Sequence, residues 1–390
     1  MNLLALACIV SVWGGVLCRH EDASGMAVDD CTNGDVSGQC LDQAAMLQNR
    51  LDKSMMHQTA FRSVPNSVVH PNPVVLTLAC TYKKPQMASF LASLRASGYK
   101  GAVIIGIDVD DADHATKQFL EMHNVKTDAA PCIEQEQKQL LGEEQTQWLT
   151  DLVFTRYKYY RKWIRGGNYS HAWMLGVKDV FFQADPFLAA TPALGFYSMS
   201  EYVPEYSLDQ IKRCFGPSEM RGVEDQAASS GKANMCGDTI VGDADRVLKM
   251  CDDMVAMYSK LKSRDGCILA NEQPMLNTLI WSYGDEYVTR HGAFEGIAIS
   301  TWSSRDQQDQ SNGAHGPLWC DSSGIFRESS GKVVNKAGEV VPILHQWMTC
   351  PKIRNSIAAF MSARGFRQDW DNGSYRFIQD TQNASIQASP

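Results

Sequence analysis

Asp179 stands where packing alone does not explain an acid. It follows the apolar segment Trp173-Met174-Leu175-Gly176-Val177, with Lys178 between, and precedes Val180-Phe181-Phe182. A carboxylate that interrupts a buried strand must be paired, bind a cation, or face a water-filled cleft. In open α/β sheets ligands bind beyond the carboxyl ends of the strands, so an acid delivered there faces a crevice and not the core. Asp185-Pro186, just downstream, has a plainer reading as a helix start, with Asp as N-cap and Pro in the first turn.

Other residues have both a chemical and a structural reading. Glu272 and Gln273 open a helix expected from Asn271 to Trp281; the acid suits the positive end of the helix dipole, and beside an acceptor hydroxyl it would serve as general base. His345 ends the strand expected at Val340 to Leu344, where it reads as a hydrogen-bonded side chain or a metal ligand. Arg156-Tyr157 lies on a long helix, and amphipathicity alone makes it a solvated Arg beside a core Tyr. Gly237 and Gly242 bracket the strand Thr239-Ile240-Val241, supplying positive φ or room for close approach of a ligand. Asp108-Val109-Asp110, with Asp111 and Asp113 behind it, reads as a solvated acidic turn or a helical cap.

The elements that must position these residues are periodic enough to place. Val74 to Cys80 is a buried strand, Met87 to Leu94 a helix ended by Gly98, and Ala102 to Ile107 a second strand. Strand, helix and strand within about 35 residues make a βαβ unit, with parallel pairing and a right-handed crossover. A long helix from Gln145 to Arg165 leads into the strand before Asp179. Then come an irregular region to about Ala233, the strand at Thr239, and a helix from Asp243 to Leu261. The expected fold class is α/β, a Rossmann-like mixed sheet, mostly parallel, flanked by helices.

With 390 residues the chain is long enough for a substantial core, and 44% hydrophobic content is that of a globular protein. A balance of 36 basic against 44 acidic residues, with no Lys/Arg-rich tract, excludes the electrostatic footprint of nucleic-acid binding. Residues 1–18 read as a secretory signal, the apolar run Leu3 to Leu17 being short for a membrane span; an uncleaved signal anchor is the alternative, and the only membrane attachment expected. Residues 19–73 read as a stem carrying one amphipathic helix from Leu41 to His57, 74–365 as the folded domain, and 366–390 as a loosely held tail.

Sequons at Asn168, Asn372 and Asn383 agree with a lumenal compartment. Apart from Cys8 and Cys18 in the leader, the cysteines are Cys31, Cys40, Cys80, Cys132, Cys214, Cys236, Cys251, Cys267, Cys320 and Cys350. Their even number and the lack of any CxxC spacing suggest mainly disulfides, with Cys31 and Cys40 the easiest local pair. No HExxH, P-loop or GxSxG motif is present.

Four segments in order resemble glycosyltransferases of the GT-A type, the nucleotide-diphospho-sugar transferase fold of the eukaryotic secretory pathway. They are Lys178-Asp179-Val180-Phe181-Phe182-Gln183-Ala184-Asp185-Pro186-Phe187, Cys236-Gly237-Asp238-Thr239-Ile240-Val241-Gly242, Asn271-Glu272-Gln273-Pro274-Met275-Leu276-Asn277 and Leu344-His345-Gln346. The resemblance implies a GT-A fold and transfer of a sugar from a nucleotide-sugar donor to a glycan or glycoprotein hydroxyl, in the Golgi or endoplasmic reticulum lumen or after secretion. It implies that Asp179 and His345 hold Mn²⁺ or Mg²⁺, that Arg156 and Tyr157 lie near the nucleotide, that Gly237 admits the sugar, and that Glu272 acts beside the acceptor. Gly176 departs from the pattern, which usually has a first acid there. A single carboxylate holds a hard cation less tightly. That departure gives the alternative expectation, a catalytically inactive secreted binding protein on the same fold.

Overall fold

The computed structural model describes residues 70–80, 82–108, 112–130, 145–188, 191–200, 205–230, 234–262, 267, 272–292, 294–300, 326–327, 330–371 and 374–379, and two short strands near the start. The chain divides into two units, Met1–Pro65 and Asn66–Pro390. In the first, β1 (Ile9–Val10) pairs antiparallel with β2 (Val16–Leu17). The expected stem helix lies outside the described residues, as does most of the leader. Among the described residues no helix is long and apolar enough to cross a membrane.

The second unit opens as expected. In it β3 (Pro73–Cys80), α1 (Lys84–Ala96), β4 (Ala102–Ile107), α2 (His114–Met122) and β5 (Lys126–Ala129) alternate, and β3 pairs parallel with β4 and β4 with β5. Local chemistry sets the helix ends. Pro85 occupies the first turn of α1, and Gly98, at φ +95°, takes the left-handed position beyond its end. Asp113 caps α2, accepting from the Thr116 amide at 2.7 Å, so the acidic turn's cap role is the one realised there; Asp110 lies outside the described residues.

After α3 (Gln145–Arg165), β6 (His171–Leu175) joins the other side of β3, again in parallel. Next come β7 (Val180–Phe182), β8 (Leu194–Ser200), α4 (Glu205–Cys214), α5 (Pro217–Ser230), β9 (Asn234–Asp243), α6 (Ala244–Lys262), α7 (Gln273–Ser282) and β10 (Thr289–His291). The seven-stranded sheet runs β10-β8-β9-β6-β3-β4-β5. Only β9 is antiparallel to its neighbours, β6 and β8. This is the expected α/β class, a mostly parallel mixed sheet.

Strand residues alternate between two cores, as a sheet covered on both faces requires. Val75, Val103, Ile105, Trp173 and Leu175 face α1 and α2, while Val74, Leu76, Ile104, Ala172 and Met174 face α3, α6 and α7. The aromatic stripe Phe154, Tyr157, Tyr160, Ile164 on α3 has the helical spacing that fills the second core.

A second sheet is built from β7, β11 (Ala298–Ser300) and β14 (Ile343–His345), with β12 (Phe326–Arg327) and β13 (Lys332–Val333) forming a separate hairpin. A 3₁₀ turn (Trp347–Thr349), α8 (Pro351–Ser362) and the hairpin β15 (Phe366–Asp371)/β16 (Ser374–Gln379) follow.

Several expectations are corrected. Among the described residues of the region before Ala233, regular structure replaces the expected irregularity: they form β8, α4 and α5, a short strand and two polar helices. Residues 366–371 and 374–379, the described part of the expected 366–390 tail, are a hairpin held to the core, with Phe377 1% exposed and stacked on Trp347 at 5.9 Å. The helix expected at Asp185-Pro186 is a single turn, in which the Phe187 amide donates to Asp185 Oδ1 at 2.9 Å. Cys214 and Cys267 form a disulfide, and Cys80 and Cys350 are disulfide-bonded, but Cys236 and Cys251 are buried free thiols. The pair expected at Cys31 and Cys40 lies outside the described residues.

Candidate active site and metal centre

Two antiparallel registers assemble the site. In the large sheet Leu175 pairs with Thr239, and one step beyond it the Gly176 amide donates to the Asp238 carbonyl at 3.4 Å. Asp238 is therefore the cross-strand neighbour of Gly176. In the small sheet His345 pairs with Val180, and the Gln346 amide donates to the Asp179 carbonyl at 2.8 Å. His345 is thus brought to the residue next to Asp179. Asp179 itself sits in the bend between β6 and β7 and not within a strand. The strand order reverses between β3 and β6, and the site lies just past the end of β6, where open α/β sheets form their crevice.

His345 is 1% exposed, and its Nε2 has no hydrogen-bond partner. The nearest oxygens to it are Asp179 Oδ2 at 3.4 Å and Asp238 Oδ2 at 3.9 Å. Those separations are long for hydrogen bonds. They approach the edges of a coordination polyhedron with bonds near 2.1 Å, roughly 3.0 Å in octahedral and 3.4 Å in tetrahedral geometry. On the other side of the ring, Nδ1 lies 3.5 Å from Cys236 Sγ. Cys236, Asp238 and His345 each present one ligand atom within 4.8 Å of the others. Among the described residues the group whose ligand atoms could share one divalent cation is Cys236, Asp238 and His345, with Asp179 Oδ2 beside the imidazole.

Electrostatics follow from the same geometry. Burial opposes ionisation of Asp179, yet the adjacent His345 outweighs it and holds the carboxyl below its usual range. Burial likewise disfavours a charged His345, but Cys236 and Asp179 raise its pKa well above the ordinary histidine value. Tyr82, on the loop after β3, is pushed up to about 12 by burial and by the charges of Asp179 and Asp238.

Arg156, in the middle of α3, ties this cluster to the head of α7. Its Nη1 donates to Asp238 Oδ1 and its Nη2 to Glu272 Oε1. Burial raises the pKa of Glu272, with Arg156 opposing. Gly237 makes the arrangement possible, since a Cβ there would stand 2.5 Å from Arg156 Nη2 and 3.1 Å from Glu272 Oε1. A Cβ on Gly176 would lie 3.0 Å from Asp179 Oδ1 and 3.5 Å from the Asp238 carboxyl carbon.

The structure therefore brings Asp179, His345, Arg156, Glu272 and Gly237 into one cluster. Tyr157 is not at the crevice. It is 0% exposed within the helix-side core, its ring 5.2 Å from the Arg156 guanidinium, so it supports that side chain from below. At Gly237 the absent side chain leaves room for the Arg156 guanidinium. Sequence reasoning did not single out Asp238, Cys236 or Tyr82. For Asp238 a signal was present, an acid inside the apolar strand Thr239-Ile240-Val241 and its flanks, the same anomaly that marks Asp179.

No protein-family model matches the chain, and no curated protein matches it. Among solved structures, a match is core-mannan synthase A from Aspergillus fumigatus in its Mn/GDP form, 13% identical with a TM-score of 0.32, covering 55% of this chain and 71% of that one.

Proposed function

We propose that this chain transfers a sugar from a nucleotide-sugar donor to a hydroxyl of a glycan or glycoprotein, in the lumen of the secretory pathway or after secretion, on a GT-A fold. The observation that carries the reading is the convergence of Asp179, Asp238 and the unpartnered Nε2 of His345 just past the end of β6. The ordered segments resembling secretory glycosyltransferases supply the substrate class.

Asp179, Asp238 and His345 would hold Mn²⁺ or Mg²⁺, which supplies positive charge against the leaving nucleoside diphosphate. Asp238 provides the second carboxylate whose usual place is taken by Gly176. It comes from the neighbouring strand, and Arg156 fixes its direction through Oδ1. Glu272, with a carboxyl raised by burial, is the candidate to take the acceptor proton. Arg156 orders the two acids on either side of it.

One observation favours the alternative, nucleotide or glycan binding without transfer: Glu272 Oε1 is already committed to Arg156. Thermal unfolding of the secreted protein with UDP, GDP or CMP, each with and without Mn²⁺, tests both, because a ligand of the native state raises its stability. A metal-dependent shift with one nucleotide, lost in Asp179→Ala, is expected and names the donor. That shift without product formation by mass spectrometry would select the binding reading, and no shift with any nucleotide would overturn the donor site.

A further inference from the structure

We propose that Cys236 is the positioning residue of the metal centre: its thiol holds Nδ1 of His345 so that Nε2 alone is presented to the ion between Asp179 and Asp238. This rests on the metal-binding reading above. The two ring nitrogens have separate surroundings, Sγ of Cys236 at 3.5 Å from Nδ1, and the carboxylate oxygens at 3.4 and 3.9 Å from Nε2. Which imidazole nitrogen binds metal is set by the partner of the other, and that partner also fixes the plane of the ring. In the tautomer with the proton on Nδ1, that N–H faces the sulfur while the in-plane lone pair of Nε2 points the other way, so an ion on Nε2 is directed away from the sulfur.

Cys236 is suited to this role by what surrounds it. It is 1% exposed and forms no disulfide, and its Sγ also accepts from the Asp238 amide at 3.3 Å. A single side chain thus braces a nitrogen ligand and the backbone of a carboxylate ligand at once. The competing arrangement is a thiolate ligand, in which Cys236 and Asp238 share an ion with His345 through Nδ1. It would change the donor set from oxygen and nitrogen to one containing sulfur, which favours Zn²⁺.

The test uses the full chain, metal-free, as wild type, Cys236→Ser and Cys236→Ala, titrated with Mn²⁺ by calorimetry and with Co²⁺ by absorption. Loss of the sulfur in Cys236→Ala should weaken both ions by about 10- to 100-fold, while Cys236→Ser, which keeps a polar atom facing Nδ1, stays within about threefold of wild type. Wild-type Co²⁺ protein should lack a near-ultraviolet thiolate charge-transfer band. That band in wild type, lost in both variants, would overturn the proposal in favour of a thiolate ligand, and needs no variant to be seen. Unchanged affinity in Cys236→Ala would overturn it too, leaving the metal site intact. Failure of the wild type itself to take up either ion would instead remove the metal reading on which the proposal stands.

Discussion

Arg156 donates from Nη2 to Glu272 Oε1 across 116 residues of chain, and both side chains are nearly closed to solvent, at 10% and 11% exposed. The same guanidinium binds Asp238 through Nη1, so one cation neutralises two acids drawn from β9 and α7. Removing it leaves a buried carboxylate without compensation. Arg156→Ala should lower unfolding stability by about 3 kcal/mol, toward the low end for a broken buried pair because Asp238 is partly exposed. Urea denaturation at neutral pH checks this, and adding Glu272→Gln to the variant should restore part of the loss. Arg156→Lys should not substitute, since a point charge cannot span both acids as the guanidinium fork does.

Gly237 is required by space. With a Cβ only 2.5 Å from Arg156 Nη2, Gly237→Ala must push the guanidinium off Glu272 or Asp238. A cost of about 1–3 kcal/mol is expected, as for other overpacked sites, together with weaker metal uptake from a released Asp238. Chemical denaturation and Mn²⁺ titration of the same variant measure the two effects. Wild-type values in both would show that Arg156 has somewhere else to go.

Gly176 invites introduction of an acid, but its surroundings argue for a conditional result. A side chain at this position meets Asp179 Oδ1 at 3.0 Å and the Asp238 carboxyl carbon at 3.5 Å. Gly176→Asp would place a third carboxylate against two, and like charges at such range disfavour one another. The metal-free variant should melt below wild type, and Mn²⁺ should raise its melting temperature by more than it raises that of wild type. A variant that matches wild type in chelator would contradict this account.

Away from the site, Asp128 at the end of the sheet anchors β5 to α3. Its Oδ2 accepts from Lys162 Nζ at 2.7 Å and from Trp163 Nε1 at 2.6 Å. Burial opposes ionisation, but these two donors outweigh it and lower the pKa. A depressed carboxylate pKa contributes stability above its unfolded value and loses it as pH falls through the folded one. Asp128→Asn should thus be less stable at neutral pH, by under about 1 kcal/mol given the solvent exposure of Lys162. The gap should close under acid, and denaturant midpoints across the acid range would reveal a gap that persists.

Some of this was legible in the residues. The alternation of apolar strand and amphipathic helix from Val74 to Ile107 required a parallel βαβ unit, and the α3 limits, Gln145 to Arg165, were readable from periodicity. Asp179 and His345 were identifiable because an acid and a histidine at the ends of apolar runs need a reason to be there. The polar helices α4 and α5 were not, since polar and charged residues dominate both and tertiary contacts with α7 stabilise them. The hairpin of β15 and β16 was hidden for a related cause: a polar strand such as Phe366–Asp371 becomes part of the fold only because Phe377 opposite it finds a core to enter.

By itself the sequence determined the class of fold and which residue types could do chemistry, because periodicity and anomalous charges are local properties of the chain. Only the tertiary structure decided their company. Asp238 becomes the second carboxylate because β9 runs antiparallel to β6 in a register that sets it opposite Gly176, and His345 meets Asp179 because β14 pairs with β7 at Val180. Register is a long-range property, fixed by which apolar faces bury together, and a shift of one residue would have turned each of these side chains to the other face of its sheet.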